Sequence, residues 1–196
     1  FHLLLAGSAA EALSNGKDIT DPWQKTMSLG FPVFHYYQHL PHVSVALIHV
    51  ATFQLFPLIE IIRWTTYLLL SIFPLSIWWS LRQFGFKSLI AAMGGLLASL
   101  IGTDFIGSNF DGFVAGVFRS YGGFGYSNYI SQGWGLYSQL WAMVLLPLAL
   151  AVGYRVLRDG RGYLLATLLL AVTLMAHLMY GYMAFLTLGA FTLIPV

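Results

Sequence analysis

The 196 residues contain no cysteine and very little charge, with Asp, Glu, Lys and Arg together making up 8%. Without cysteine there is no disulfide framework, no thiolate metal site and no cysteine nucleophile, and the redox compartment is left open. A soluble domain carries about 25% charged residues. This chain has about a third of that, while 58% of it is hydrophobic and 16% aromatic. On composition, a soluble domain, a disordered tail and a nucleic-acid binder are ruled out, and lipid is the expected solvent. Nine basic residues against seven acidic ones give a net charge of +2, which selects no acidic partner. Phe1 is not preceded by an initiator Met or a signal-peptide n-region, and Val196 falls inside an apolar run. The expectation is an internal piece of a longer polytopic protein.

Charge-free apolar runs mark the spans, because about 20 helical residues cross the hydrocarbon core. Trp64 to Leu81 is one run, Ser88 to Thr103 a second and Tyr137 to Tyr154 a third. From Gly162 to Val196 no side chain carries a full charge over 35 residues. One helix of that length would be roughly 50 Å long, too long for a ~30 Å core, so a break is expected. Gly181 is the expected place. The fold class is therefore all-α, a polytopic transmembrane helix bundle with four spans and the start of a fifth, or one more if Leu40 to Ile59 also crosses.

Lys and Arg placement sets the orientation. The connector 82–87 carries Arg82 and Lys87 with no acid, and the connector 155–161 carries three arginines against Asp159. Two spans separate them, so both lie on one side, and the rule makes that side cytoplasmic. The organisation read from this is an external segment 1–63, two spans within 64–103, an external Gly/aromatic loop 104–136, and the remaining spans within 137–196. Leu40 to Ile59 contains His42, His49, Gln54 and Pro57. It either crosses or lies along the external interface as an amphipathic helix, with Val45, Leu47, Phe53 and Leu55 entering the acyl boundary.

Polar chemistry collects in residues 1–39 and in the loop 104–136, whose length marks it as functional or disordered; its aromatics argue against disorder. Asp18 and Asp21 either cap a turn before Pro22 or belong to a polar site. Asp104 is either a solvated residue at the end of a span or a site carboxylate. His35, His39, His42 and His49 recur at helical spacing, but Pro41 suits a helix N-terminus and separates the first two from the last two, which disfavours a metal site. The glycines of Tyr121-Gly-Gly-Phe-Gly-Tyr126 lack the Lys-Ser/Thr of a phosphate loop. His177 is the one ionisable side chain of the last run; it either makes an interhelical hydrogen bond or borders an external site.

Several motifs carry a resemblance: Phe1-His2, Asp21-Pro-Trp23, Gly30-Phe-Pro-Val-Phe-His-Tyr-Tyr37, Gly135-Leu-Tyr-Ser-Gln-Leu-Trp-Ala-Met143 and Ala176-His-Leu-Met-Tyr-Gly181. Together they resemble the bacterial and archaeal membrane proteins called 6-pyruvoyl-tetrahydropterin synthase-related, a family itself similar to the GT-C class of glycosyltransferases. The resemblance implies a first external loop with helices lying on the membrane, which favours the interfacial reading of Leu40 to Ile59. It implies an acidic residue at the start of that loop, a position that would precede Phe1, and a second at the next external loop, where Asp104 stands. The expected activity is glycosyl transfer from a lipid-phosphate sugar, such as a polyprenyl-phosphate sugar, at the external face of a bacterial or archaeal plasma membrane. Asp104 is the candidate acid/base or contact for a divalent cation, with Asp21 second. Arg119, Lys25 and His35 are candidates for the phosphate, Trp23, Tyr36, Tyr37 and Tyr137 for the pocket wall, and His177 for its border. The competing expectation is a non-catalytic subunit of a larger membrane-protein complex.

Overall fold

A computed structural model describes residues 1–25, 30–100 and 137–193. Seven helices form among them: α1 (His2–Ser14), α2 (Leu40–Ala51), α3 (Leu58–Gln83), α4 (Ser88–Leu100), α5 (Tyr137–Asp159), α6 (Tyr163–Ala176) and α7 (Leu178–Phe191). A two-stranded antiparallel ribbon, β1 (Trp23–Gln24) and β2 (Phe31–Pro32), pairs Trp23 with Pro32 and Gln24 with Phe31. The alanines of α1 let it sit close against α2, and Leu5, Ala9, Val33, Phe34, Val43 and Ala46 form a small core between them. The first helix ends where Gly16 takes a φ of +64°, the usual left-handed stop.

Two helices, α3 with 26 residues and α5 with 23, are long and apolar enough to cross a membrane. The sequence between them and after them gives shorter pieces. Helix α2 begins at Leu40 with Pro41 in its first turn, so His35 and His39 precede it, as the proline predicts. Its 12 residues rise only about 18 Å, too little for a ~30 Å core. The expected single interfacial helix over Leu40 to Ile59 does not form. Pro41, His42, Val43, Val45 and Ala46 are buried, so Val45 packs inside and does not reach an acyl boundary. The chain then turns through Phe53 and Gln54, at φ values of +52° and +61°, before Pro57 starts α3.

The break in the last apolar run falls at His177, not at Gly181. His177 has extended backbone (φ −159°, ψ 115°) and separates two 14-residue helices of about 21 Å each. Gly181 has a different task. A Cβ there would lie 2.7 Å from the Leu174 Cα, so the glycine is what lets α7 fold back against α6.

The two basic connectors meet at one end of the bundle. The Arg155 guanidinium donates to Gln83 Oε1 at 3.4 Å, and the Phe84 ring lies 5.0 Å from Tyr154. At the other end, the Tyr137 and Thr65 hydroxyls are 2.7 Å apart and Gln139 donates to the Tyr180 hydroxyl at 3.1 Å. Outward faces are apolar: Trp64, Leu75, Leu89, Leu96, Leu164 and Leu186 are all exposed. Along α3, the hydroxyls of Thr65, Thr66, Ser71, Ser76 and Ser80 each donate to a carbonyl three or four residues back. That habit spares a hydroxyl from needing water.

The glycine contacts give a test by thermal unfolding in detergent. Gly181→Ala should lower the midpoint, at a cost of about 1–3 kcal/mol for overpacking. Gly189→Ala, where a Cβ meets nothing within 4 Å, should leave it unchanged or raise it. Equal effects of the two changes would contradict the α6–α7 packing.

Candidate functional site

The end of the bundle opposite the basic connectors holds two hydrogen-bonded imidazoles, one buried and one half-buried. His2, in the first turn of α1, and His42, in the first turn of α2, approach Nδ1 to Nε2 at 3.0 Å. Their ring planes differ by 13° with centroids 5.2 Å apart, so the two rings meet through their edges. The tautomers follow from the neighbours. His42 Nδ1 lies 3.1 Å from the Gln38 carbonyl, which only accepts, so Nδ1 carries the hydrogen and Nε2 keeps its lone pair. His2 Nδ1–H therefore donates to His42 Nε2, and His2 Nε2 accepts the Tyr137 backbone N–H at 3.3 Å.

Every ring nitrogen of the pair is thus used, with a backbone group at each end. Tyr137 lies 6.0 Å from the His42 ring at 63°, and Tyr37 lies 5.7 Å from it, its hydroxyl 3.2 Å from Ser138 Oγ. His42 is fully buried. Burial, and then the neighbouring His2, holds the His42 imidazole down at about 3, and burial holds His2 down at about 4. A general base works best with a pKa near the operating pH. These imidazoles are far below it and have no free nitrogen. They form a joint between α1, α2 and α5.

Chemistry with free groups lies beside this joint, in two clefts. The first, of about 300 Å³, is lined by Glu11, Lys17, Asp18, Asp21, Trp23 and Lys25 among others. Gln24 Nε2 donates to Ser8 Oγ at 2.6 Å, which ties the ribbon to α1. Gly30, at φ +86°, leaves room for the Trp23 indole, since a Cβ there would meet its Nε1 at 2.5 Å. Trp23 remains 58% exposed. Asp18 is taken up by its own turn: the Thr20 N–H and hydroxyl both donate to its Oδ1, at 2.8 and 2.7 Å, and hold its carboxyl below the ordinary range. The capping reading therefore applies to Asp18.

The second cleft, of about 280 Å³, is lined by His35, Tyr36 and Tyr37 and by Leu174, Met175 and Leu178 around the α6–α7 turn. His35 Nε2 lies 3.1 Å from Asp21 Oδ1, so this exposed pair stands between the two clefts. Of the residues expected in a site, Asp21, Trp23, Lys25, His35 and Tyr36 are thus brought together. Tyr137 lines neither of these two clefts; it is buried, with its hydroxyl 2.7 Å from that of Thr65. His177 sits in the turn itself with its Nδ1 buried and without a partner among the described residues, so the expected interhelical hydrogen bond is not made there. Asp104 and Arg119 lie outside the described residues. Among the described residues no three His, Asp or Glu side chains converge as metal ligands. Comparison with protein-family models, with curated proteins and with solved structures finds no match to this chain.

The histidine joint makes stability depend on pH with a definite sign. Both imidazoles must be neutral when folded, whereas an unfolded histidine titrates near 6.5. Their contribution is complete above about pH 6.5 and is lost as pH falls toward about 4. Melting in detergent from pH 8 to pH 4.5 should show this loss, and His42→Gln, which keeps a donor and an acceptor, should reduce the slope. An unchanged slope would place the titrating groups elsewhere.

Proposed function

We propose that this chain is part of an integral membrane protein that transfers a sugar from a lipid-phosphate donor at the external membrane face, in the manner of the GT-C class. The observation that carries the reading is the Asp21–His35 pair, which joins a polar cleft to an aromatic one at the end opposite the basic connectors. Glycosyl transfer asks for a carboxylate to activate an acceptor hydroxyl, cations for the leaving phosphate and aromatic surface for a sugar ring. Asp21 supplies the first within the described residues, and Asp104 is the further candidate, with a divalent cation as the cofactor it would hold. His35 and Lys25, with Arg119, would meet the phosphate. Trp23 and Tyr36 would stack on the sugar. Localisation follows the same reading: the plasma membrane of a bacterium or archaeon, with the connectors 82–87 and 155–161 inside.

A second reading, a non-catalytic subunit of a membrane complex, draws on an apolar groove of about 520 Å³ between α3 and α4, lined by Pro74, Leu75, Trp78, Gly95 and Leu96. A helix of another chain would fit such a groove. An assay of the full-length protein with polyprenyl-phosphate sugars separates the two. Transfer should be seen, Asp21→Asn should reduce it at least about 100-fold, the scale of lost acid–base catalysis, and His35→Gln should weaken it less. Absence of transfer with every donor would favour the subunit, and full activity in both Asp21→Asn and Asp104→Asn would remove these two carboxylates from the chemistry.

A further inference from the structure

Together the connectors 82–87 and 155–161 hold five cations, Arg82, Lys87, Arg155, Arg158 and Arg161, against the single carboxylate of Asp159. The described residues of the opposite end hold Glu11, Asp18, Asp21 and Glu60 against Lys17, Lys25 and Arg63, so the positive excess belongs to one end only. Folding makes one patch of the two connectors. The Phe84, Tyr154 and Phe191 rings cluster at centroid distances of 5.0, 5.8 and 6.1 Å, and the Arg155 guanidinium reaches across to Gln83. The one carboxylate is already taken. Arg158 donates to both Asp159 oxygens, at 2.7 and 2.8 Å, and Arg155 and Arg161 act on the same carboxylate electrostatically. Arg82 donates only to a neutral group, the Phe86 carbonyl at 2.7 Å, and Lys87 forms no ion pair among the described residues.

The neighbours of these cations say what kind of anion fits. Phe86 and Leu89 flank Lys87, and Tyr163 and Leu164 follow Arg161; all four are exposed, Leu89 at 74% and Leu164 at 75%. A free phosphate would meet the cations alone, whereas an anionic amphiphile meets the cations and the apolar side chains together. The guanidinium fork matches the oxygens of a phosphate group. Lys and Arg beside a membrane span attract anionic headgroups, each adding roughly fivefold in affinity. We propose that the two connectors together hold the phosphodiester headgroup of an anionic phospholipid, with its acyl chains against the exposed apolar side chains that begin α4 and α6. The inference rests on the membrane reading above but not on sugar transfer, and it places a lipid partner at the end away from the clefts.

Native mass spectrometry of the full-length protein in detergent, titrated with phosphatidylglycerol and with phosphatidylcholine, tests it. Phosphatidylglycerol should be retained at least about tenfold more tightly. Lys87→Gln combined with Arg161→Gln should weaken its binding about 25-fold. Lys87→Arg combined with Arg161→Lys, which keeps both charges, should bind as the parent does, and so should Arg63→Gln at the opposite end. Equal retention of the two lipids, or an equal loss in Arg63→Gln, would overturn the site. Loss of binding in the charge-keeping pair would mean that charge does not hold the lipid, and would overturn it too. Displacement of phosphatidylglycerol by millimolar inorganic phosphate would replace the lipid with a free anion. A protein that stays monodisperse without detergent would remove the membrane reading and the lipid site together, whereas absence of sugar transfer would leave the lipid site standing.

Discussion

The hydrogen-bonded line from the Tyr137 N–H through His2 and His42 to the Gln38 carbonyl joins the polar first part of the chain to the apolar helices. It works because burial keeps both imidazoles neutral. A neutral imidazole has one donor and one acceptor, so two in series pass a single direction of hydrogen bonding across the junction. Protonating either would place two donors face to face in a site with no carboxylate partner among the described residues. That dependence places α1 and α2 on the end of α5, and it holds the ribbon and the clefts in register with the bundle.

Away from that joint, scarcity of charge governs the architecture. Hydroxyls in α3 return to their own helix, and small residues at Gly95 and Gly181 bring helices together where larger side chains would hold them apart. Charged side chains are left for the two ends. One end has Arg82, Lys87, Arg155, Arg158, Asp159 and Arg161; the other has Glu11, Asp18, Asp21, the two lysines of the first cleft and the Glu60–Arg63 pair. The separation lets a bundle with apolar outer faces carry a polar site without burying an unpaired charge.

Much of this was legible in sequence. Absence of charge marked α3 and α5, and Pro41 fixed the start of α2. The basic connectors announced a shared end, which the Arg155–Gln83 and Phe84–Tyr154 contacts bear out. The signal failed where a feature depends on tertiary approach. Glycine at 181 looked like a breaker, but its missing Cβ serves packing, while the extended backbone at His177 has no local sign. The body of α2 looked amphipathic enough to lie on a surface, but its histidine side faces α1. His2 and His42 are 40 residues apart and Tyr137 lies a further 95 away, so no spacing rule could have joined them. The pairing of Asp21 with His35 was foreshadowed only by both residues lying in the same polar stretch.

The proposed topology requires the two ends of the bundle to face opposite sides of a membrane. Single cysteines at Lys17, in the first cleft, and at Asp159, in the second basic connector, can be labelled in intact cells with a membrane-impermeant thiol reagent. Labelling at position 17 from outside, and at position 159 only after the cells are opened, is the predicted result. Labelling of both positions from outside, or of position 159 alone, would contradict it.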